Sequence, residues 1–403
     1  MEQKRKHDPF SPFATGKLSF KNRMIRSATY EGLAATDGTP QQTLSDLYIR
    51  LARGGVGGII SGFVFIEQAG RAMQPCQAGI DTEDKAVAWA GIISAFKQAA
   101  PAIPFIMQLA HTGRQTTQRA TGTAVHGVSK KPCPFFNQRV KVLDDRQIGE
   151  IITCFGEAAF RSRQAGCDGI QIHAAHGYLI HQFMSDVTNT RNDRWRDPAL
   201  FLSEVVCAVK TRCGSSYPVL LKVSGAEDHP QGLTPGKVAA ILNRLPKDSI
   251  QAVEVSYGTM GYALNIMRGQ WPVKAALKVN PLFNERSAIA LFIWKRFCMQ
   301  RYLKHLLPFS AHYNAAVAAE IKARTALPVI VTGGIRKMKD IDYCLNESKL
   351  NAVSLCRPLI SDPEFVVRLQ ADRTHDSNCT NCNLCAIHCD SLNPTVCYRN
   401  KTS

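Results

Sequence analysis

Two histidines three apart, then a tyrosine, close a short apolar run: Gly169-Ile170-Gln171-Ile172-His173-Ala174-Ala175-His176-Gly177-Tyr178. Polar groups at the C-terminal tip of a buried strand suit an active site on a parallel β/α fold. Two imidazoles can donate hydrogen bonds to one carbonyl or phenolate oxygen, and a tyrosine five residues past the first can supply a proton. The same residues also suit a pair of ordinary loop histidines, or two metal ligands. A second concentration of chemistry lies near the C-terminus. Of 14 cysteines, five (Cys379, Cys382, Cys385, Cys389 and Cys397) fall in the last 25 residues. The polar N-terminus, Met1 to Asp8, lacks the apolar core of a secretion signal. Clustered cysteines therefore point to a metal or iron–sulfur site before disulfides, and the chain is expected to be cytoplasmic.

The elements that must position these residues alternate. Eight short β-rich runs, Met24–Thr29, Gly58–Val64, Pro104–Leu109, Gly169–His173, Val219–Val223, Ala252–Ser256, Pro328–Thr332 and Ala352–Leu355, are separated by amphipathic stretches. Most of the runs are continuously apolar, as strands buried on both faces must be. The clearest helical pattern is Asp144 to Gln164, with Ile148, Ile151, Ile152, Phe155 and Ala159 on one face and an aspartate to cap it. Eight β/α units over this length predict a (β/α)8 TIM barrel, and no GxGxxG follows any strand to suggest a Rossmann domain. No apolar stretch is long enough to span a membrane. The net charge of +17 favours anionic partners such as phosphorylated cofactors, coenzyme A esters, nucleic acid or anionic lipid. Nucleic acid is the weaker reading, since no helix-turn-helix or RNA-binding signature appears.

Residues 263–305 form a long insertion after the sixth strand, with eight Lys or Arg against one acid, Glu285. An apolar patch, Ala290-Leu291-Phe292-Ile293-Trp294, runs into Lys295-Arg296-Phe297. Two readings stand: a helical cap over the barrel mouth with one apolar face packed, or an interfacial or partner-binding helix.

Taken together, the strand ends resemble the old yellow enzyme family of FMN-dependent oxidoreductases, in the branch of 2,4-dienoyl-CoA reductase and trimethylamine dehydrogenase. The resemblance runs from Asn22 to Asn400. Its motifs are Asn22-Arg23-Met24-Ile25-Arg26-Ser27-Ala28-Thr29, Gln108-Leu109-Ala110-His111-Thr112-Gly113-Arg114, the His173 to Leu179 run continuing to Gln182-Phe183 and Thr188-Asn189-Thr190-Arg191, Thr332-Gly333-Gly334-Ile335, and Cys356-Arg357-Pro358-Leu359. It implies an FMN phosphate held by Gly333, Gly334, Cys356 and Arg357. It implies a flavin ring lined by Ser27, Ala28, Thr29 and Gly62, with Gln108 at its pyrimidine edge and Lys222 near N1 and O2. Many relatives carry arginine at the Lys222 position, and lysine keeps the charge without the bidentate fork. Tyr30 stands where many relatives have Thr or Cys. His173 and His176 would hold a substrate carbonyl while reduced flavin delivers hydride, and Tyr178 would protonate the α-carbon. NAD(P)H would be the electron donor. A metal-dependent TIM hydrolase would want further ligands at strand one, which offers none.

In the tail, the spacing Cys379-x2-Cys382-x2-Cys385-x11-Cys397 can wrap one [4Fe–4S] cubane, with Cys389 as an extra. The first four of the five cysteines also mimic the bacterial ferredoxin run, but no second ligand set accompanies them. The Asn393-Pro394-Thr395-Val396-Cys397 context resembles the fourth-ligand site of the same branch, which selects Cys397. A four-cysteine zinc knuckle is the alternative. Relatives with the cluster usually continue into nucleotide-binding domains, whereas this sequence ends at Ser403. The expectation is thus an FMN barrel over residues 1–370 and an iron–sulfur segment over 371–403. NAD(P)H-dependent reduction of an activated C=C bond is the expected activity. A dehydrogenase of an amine or other small molecule, passing electrons through the cluster to a partner protein, is the second reading. A non-catalytic anion-binding module with a zinc knuckle is the third. Neither the substrate nor the oligomeric state is written in the sequence.

Overall fold

Eight parallel strands close on themselves in chain order: β1 (Met24–Arg26), β2 (Gly58–Phe65), β3 (Phe105–Ala110), β4 (Gly169–Ala174), β5 (Val219–Ser224), β6 (Ala252–Ser256), β7 (Val329–Thr332) and β8 (Ala352–Leu355), with β8 pairing back to β1. The computed structural model describes residues 7–284 and 287–399. Met1 to Lys6, Glu285, Arg286 and Asn400 to Ser403 lie outside them. The architecture is the predicted TIM barrel, and all eight predicted strands form. β1 stops at Arg26 rather than Thr29, because the Arg26 guanidinium turns the chain, donating to Thr29 O at 2.9 Å and pairing with Glu31 at 2.9 Å.

The outer helices include α1 (Thr43–Arg53), α2 (Glu83–Ala99), α3 (Asp145–Gln164), α4 (Leu200–Cys213), α5 (Pro235–Leu242) and α6 (Ala315–Arg324). In α3 the expected cap is realised as a full capping box: Asp144 accepts from the Gln147 N–H, and the Gln147 side chain accepts from the Asp144 N–H. Such a cap contributes about 1 kcal/mol. Its inward face, including Ile148, Ile151, Phe155 and Ala159, is buried.

Side chains alternate along each strand, so every second residue points into the barrel. At the N-terminal end that set is apolar: Ile25, Ile60, Ile106, Leu220, Ala252, Ile330 and Ala352 pack together. A hairpin of Phe13–Thr15 and Leu18–Phe20 plugs this end, its Phe13 and Phe20 rings stacked at 5.6 Å. Two residues further along each strand the inward set turns polar, and there the functional floor begins.

The insertion breaks into short helices, Ala263–Met267, Val273–Val279, Pro281–Asn284 and a helical run from Ala288 to Leu303 with a π-turn at Trp294–Cys298. Pro272 and Pro281 punctuate it, each at a helix start where a missing N–H costs nothing. The cysteine-rich tail folds across the barrel mouth. It is tied by Ser377 N–H to Arg336 O (2.9 Å), Asn383 Nδ2 to Gln270 O (2.9 Å) and Thr395 N–H to Glu31 O (2.8 Å).

Candidate active site

Strand ends, insertion and tail enclose a cavity of about 900 Å³ at the C-terminal mouth. Its floor is a continuous polar network. Glu254 on β6 accepts from Ser27 Oγ (2.5 Å), Ser354 Oγ (2.6 Å), Gln171 Nε2 (2.8 Å) and Lys222 Nζ (3.1 Å). Lys222 also donates to Ser27 Oγ at 2.8 Å, and Gln108 Nε2 donates to Gln171 Oε1 at 2.6 Å. Glu254 is fully buried. Burial alone would raise its pKa, but the Lys222 ammonium and the donors from Ser27, Ser354 and Gln171 outweigh it and hold the carboxylate below its ordinary value. The floor thus carries a fixed ion pair, with Lys222 forming part of the cavity wall.

Above the floor stand the two histidines. His173 ends β4, and His176 sits in a turn with φ +60°, held by its N–H to Ser224 Oγ (2.9 Å). His173 Nε2 and His176 Nδ1 face each other at 3.3 Å. The partners on the far side of each ring bear on the tautomers. His173 Nδ1 accepts the Ala175 N–H at 3.4 Å, and His176 Nε2 takes the Ser256 hydroxyl at 2.8 Å. With Nδ1 of His173 accepting, its Nε2 carries the proton and can donate to His176 Nδ1, while the Ser256 hydroxyl can serve His176 Nε2 as donor or acceptor. Both rings are neutral: burial, and next the Lys222 charge, lowers the His173 pKa to about 3, and burial with His173 lowers that of His176 well below its usual value. Both rings line the cavity.

Tyr178 stacks on His173 at 4.5 Å and meets Phe63 edge-on at 5.9 Å. Its hydroxyl has no hydrogen-bond partner among the described residues. Burial, aided by the nearby Asp390 carboxyl, raises its pKa, so it keeps its proton throughout the neutral range.

On the opposite side of the mouth, Gly333 and Gly334 follow β7 with φ +117° and +74°. A Cβ at Gly333 would lie 2.6 Å from the Tyr313 ring, and one at Gly334 would lie 2.6 Å from Ser310 O. Only glycine fits here, and the backbone is left open to close approach. Cys356 and Arg357 after β8 and Arg336 after β7 share this wall. Arg336 Nε is buried without a protein partner. Two guanidinium groups beside a glycine turn suit a phosphate. The cavity and this cradle therefore fit an FMN.

Ala28, Thr29, Gln108, Lys222, Gly333, Gly334, Cys356 and Arg357 line the cavity with His173, His176 and Tyr178, whereas Ser27 and Gly62 stand behind its surface. Ser27 is committed to Glu254 and Lys222. The Gly62 N–H is committed to Glu31 at 2.6 Å, and a Cβ there would meet Glu31 Oε2 at 2.0 Å. Tyr30 also lines the cavity, its hydroxyl accepting the Cys76 N–H at 3.0 Å.

Cys379, Cys382, Cys385 and Cys397 line a second, small cavity of about 20 Å³ beside the first, and Arg357 lines both. Cys389 is turned away from it, contacting Cys385 O at 3.2 Å and Thr395 Oγ1 at 3.3 Å. Among the described residues no three His, Cys, Asp or Glu groups stand close enough to grip a single metal ion.

Sequence reasoning missed Glu254, Gln171 and Asp390. The first two were legible in principle, since each is a polar residue inside an apolar strand at the inward-facing register of Lys222 or Gln108. Asp390 carried no signal. Its carboxyl accepts from Gln74 Nε2 (2.8 Å) and Asn280 Nδ2 (2.6 Å), groups more than 100 residues away in sequence, and it borders the cavity. Burial pushes its pKa up to about 7 despite these two donors.

A barrel with a polar floor, a phosphate cradle and a paired-histidine site at its C-terminal mouth has the plan of a flavin-binding oxidoreductase. The chain belongs to the NADH:flavin oxidoreductase / NADH oxidase family, whose model matches residues 8–281. It is 30% identical over 386 residues to an NADH oxidase of Thermoanaerobacter brockii, covering 93% of this chain and 52% of that protein. In fold it resembles a 2-naphthoyl-CoA reductase solved with 2-naphthoyl-CoA (TM-score 0.77, 19% identity, 96% of this chain and 56% of that one). It also resembles an old yellow enzyme homologue from Zymomonas mobilis (TM-score 0.69, 20% identity, 92% of this chain and 94% of that one). The chain spans about half the length of the first of these relatives. No helix of the described residues is long and apolar enough to cross a membrane.

Proposed function

We propose that this barrel reduces a C=C bond conjugated to a carbonyl, using NADH or NADPH through bound FMN. The facing ring nitrogens of His173 and His176, 3.3 Å apart beside the Tyr178 hydroxyl, carry this reading. A ligand oxygen set between them can accept from both rings once His176 takes its Nδ1–H tautomer, which suits a carbonyl oxygen on which negative charge grows during reduction. Tyr178, protonated and adjacent, is placed to give its proton to the neighbouring carbon. Gly333, Gly334, Cys356 and Arg357 would hold the cofactor phosphate, and Ala28, Thr29, Gln108 and Lys222 would border its ring. Ser27 and Gly62 would act from behind that wall. FMN, when bound, supplies the hydride. The Lys222 charge at the cavity wall, fixed by Glu254, favours an anionic reduced cofactor.

The test is an anaerobic titration of the purified flavoprotein. NADH or NADPH should bleach the flavin absorption, and a conjugated enone should restore it. Recovery with a quinone or ferricyanide but with no enone would sink the reading.

A second reading is favoured by one observation: the four cysteines Cys379, Cys382, Cys385 and Cys397 border one small cavity that Arg357 shares with the main one. We infer that residues 371–403 form an iron–sulfur segment on a barrel over 1–370, with 263–305 inserted. With a cluster there, electrons could instead leave for a partner protein, from an amine or other small-molecule donor. Rapid bleaching by NAD(P)H alone speaks for the first direction, and bleaching only by such a donor speaks for the second. The non-catalytic reading has the family assignment against it.

A further inference from the structure

The insertion carries a surface that the proposed chemistry does not use. Along its last helical run, residues 288–303, Ile289 is 74% exposed, Phe292 67%, Ile293 50% and Phe297 66%. Positions 289, 292, 293 and 297 fall on one side of a helix. The other side is already packed: Trp294 meets Phe283 at 4.7 Å and Trp271 at 5.8 Å. The face carrying Ile289, Phe292 and Ile293 is therefore not the one that caps the barrel, and Phe297 lies at the boundary between the two. Lys295, Arg296 and Arg301 are exposed on the same run and Lys304 just past its end, and none forms an ion pair among the described residues. Lys274 and Lys278 on the preceding helix are exposed as well. Between 263 and 305 the sequence sets eight Lys or Arg against one acid, Glu285.

Large apolar side chains interleaved with unpaired cations suit a bilayer interface with anionic headgroups better than a protein partner, whose contact core would be poor in lysine. The run is roughly 24 Å long at 1.5 Å per residue, enough to lie in the interface and too short to span it. Trp294, Phe297 and Arg301 also line the main cavity, so the stripe adjoins its mouth.

We propose that the 288–303 helical run docks this protein onto an anionic membrane surface, seating Ile289, Phe292, Ile293 and Phe297 at the headgroup boundary with Lys295, Arg296 and Lys304 on the lipid phosphates. This goes beyond the redox reading and stands without it.

The test is vesicle sedimentation of the flavin-loaded chain at physiological salt, using phosphatidylcholine vesicles with and without phosphatidylglycerol. Because the net charge is +17, attraction to anionic vesicles is expected of the whole surface, and variants must decide. Two pairs sit outside the cavity wall: Lys295→Glu with Arg296→Glu, and Ile289→Ser with Phe292→Ser. The parent should sediment with the anionic vesicles only and come off in high salt. The charge pair should weaken retention about 30-fold, at roughly fivefold or more per basic residue. The apolar pair should also lose retention, with flavin content unchanged in both. No retention of the parent would overturn the proposal. Retention lost only in the charge pair would overturn it too, since a purely electrostatic contact needs no apolar face. Self-association of the parent that the apolar pair abolishes, without lipid binding, would assign the stripe to a second copy instead.

Discussion

Replacing Tyr178 by phenylalanine removes one oxygen and, in this structure, no hydrogen bond between described residues. The ring keeps its stack on His173 at 4.5 Å and its edge contact with Phe63 at 5.9 Å. Stability should therefore change by less than about 0.5 kcal/mol, because no hydrogen bond between described residues is lost. The chemical effect should be far larger. A positioned general acid contributes about 10²–10⁴-fold, or roughly 3–5 kcal/mol of barrier. Bleaching of the flavin by NAD(P)H needs no proton from Tyr178 and should proceed at the parental rate. Recovery of absorption on adding a conjugated enone should slow by that 10²–10⁴-fold, while recovery with a quinone, whose oxygens take protons from solvent, should survive. Stopped-flow timing of the two phases keeps a binding defect from passing as a chemical one. Parental enone recovery in Tyr178→Phe would show that the proton comes from elsewhere.

Glu254→Gln leaves the Lys222 ammonium buried without its counter-charge and should cost about 3–5 kcal/mol in denaturant unfolding. Lys222→Met in the same chain should restore part of this, so strictly additive losses would contradict the pairing. For Asp390, with its pKa pushed up to about 7, the folded chain binds a proton that the unfolded chain has released. The stability this gives is fully present below about pH 4 and is lost as pH rises to 7. Asp390→Asn should flatten the fall in melting temperature between pH 5 and 8 by a few degrees, and parallel pH profiles would refute the assignment. In the tail, Cys397→Ser should abolish the roughly four irons per chain and Cys389→Ser should spare them. Stoichiometric zinc without iron after anaerobic purification would end the cluster reading.

How much of this was legible in advance depends on the range of the interactions. Buried parallel strands need unbroken apolar runs, and the runs at 58–65, 105–110, 169–174, 219–224, 252–256, 329–332 and 352–355 announced themselves one by one. The α3 cap was local too, an aspartate three residues before a glutamine. His173, His176 and Tyr178 lie within six residues, so their spacing implied their convergence, and Gly333-Gly334 with Cys356-Arg357 needed only neighbouring strand ends.

Tertiary structure decided the rest, because it depends on which residues face each other across the barrel. Period-two alternation says that Lys222 points inward, but only the β5–β6 register brings Glu254 opposite it. Gly62 reads from sequence as part of a flavin wall. In space it also makes room for Glu31, which accepts from Arg26, Tyr48 and the Gly62 N–H. The insertion's composition left capping and docking both open; only the fold shows Trp294 packed on Phe283 while Ile289 and Phe292 stay exposed. Asp390 lies furthest from sequence logic. Its partners Gln74 and Asn280 are 316 and 110 residues away, and its environment exists only once tail, insertion and barrel loop have closed around it.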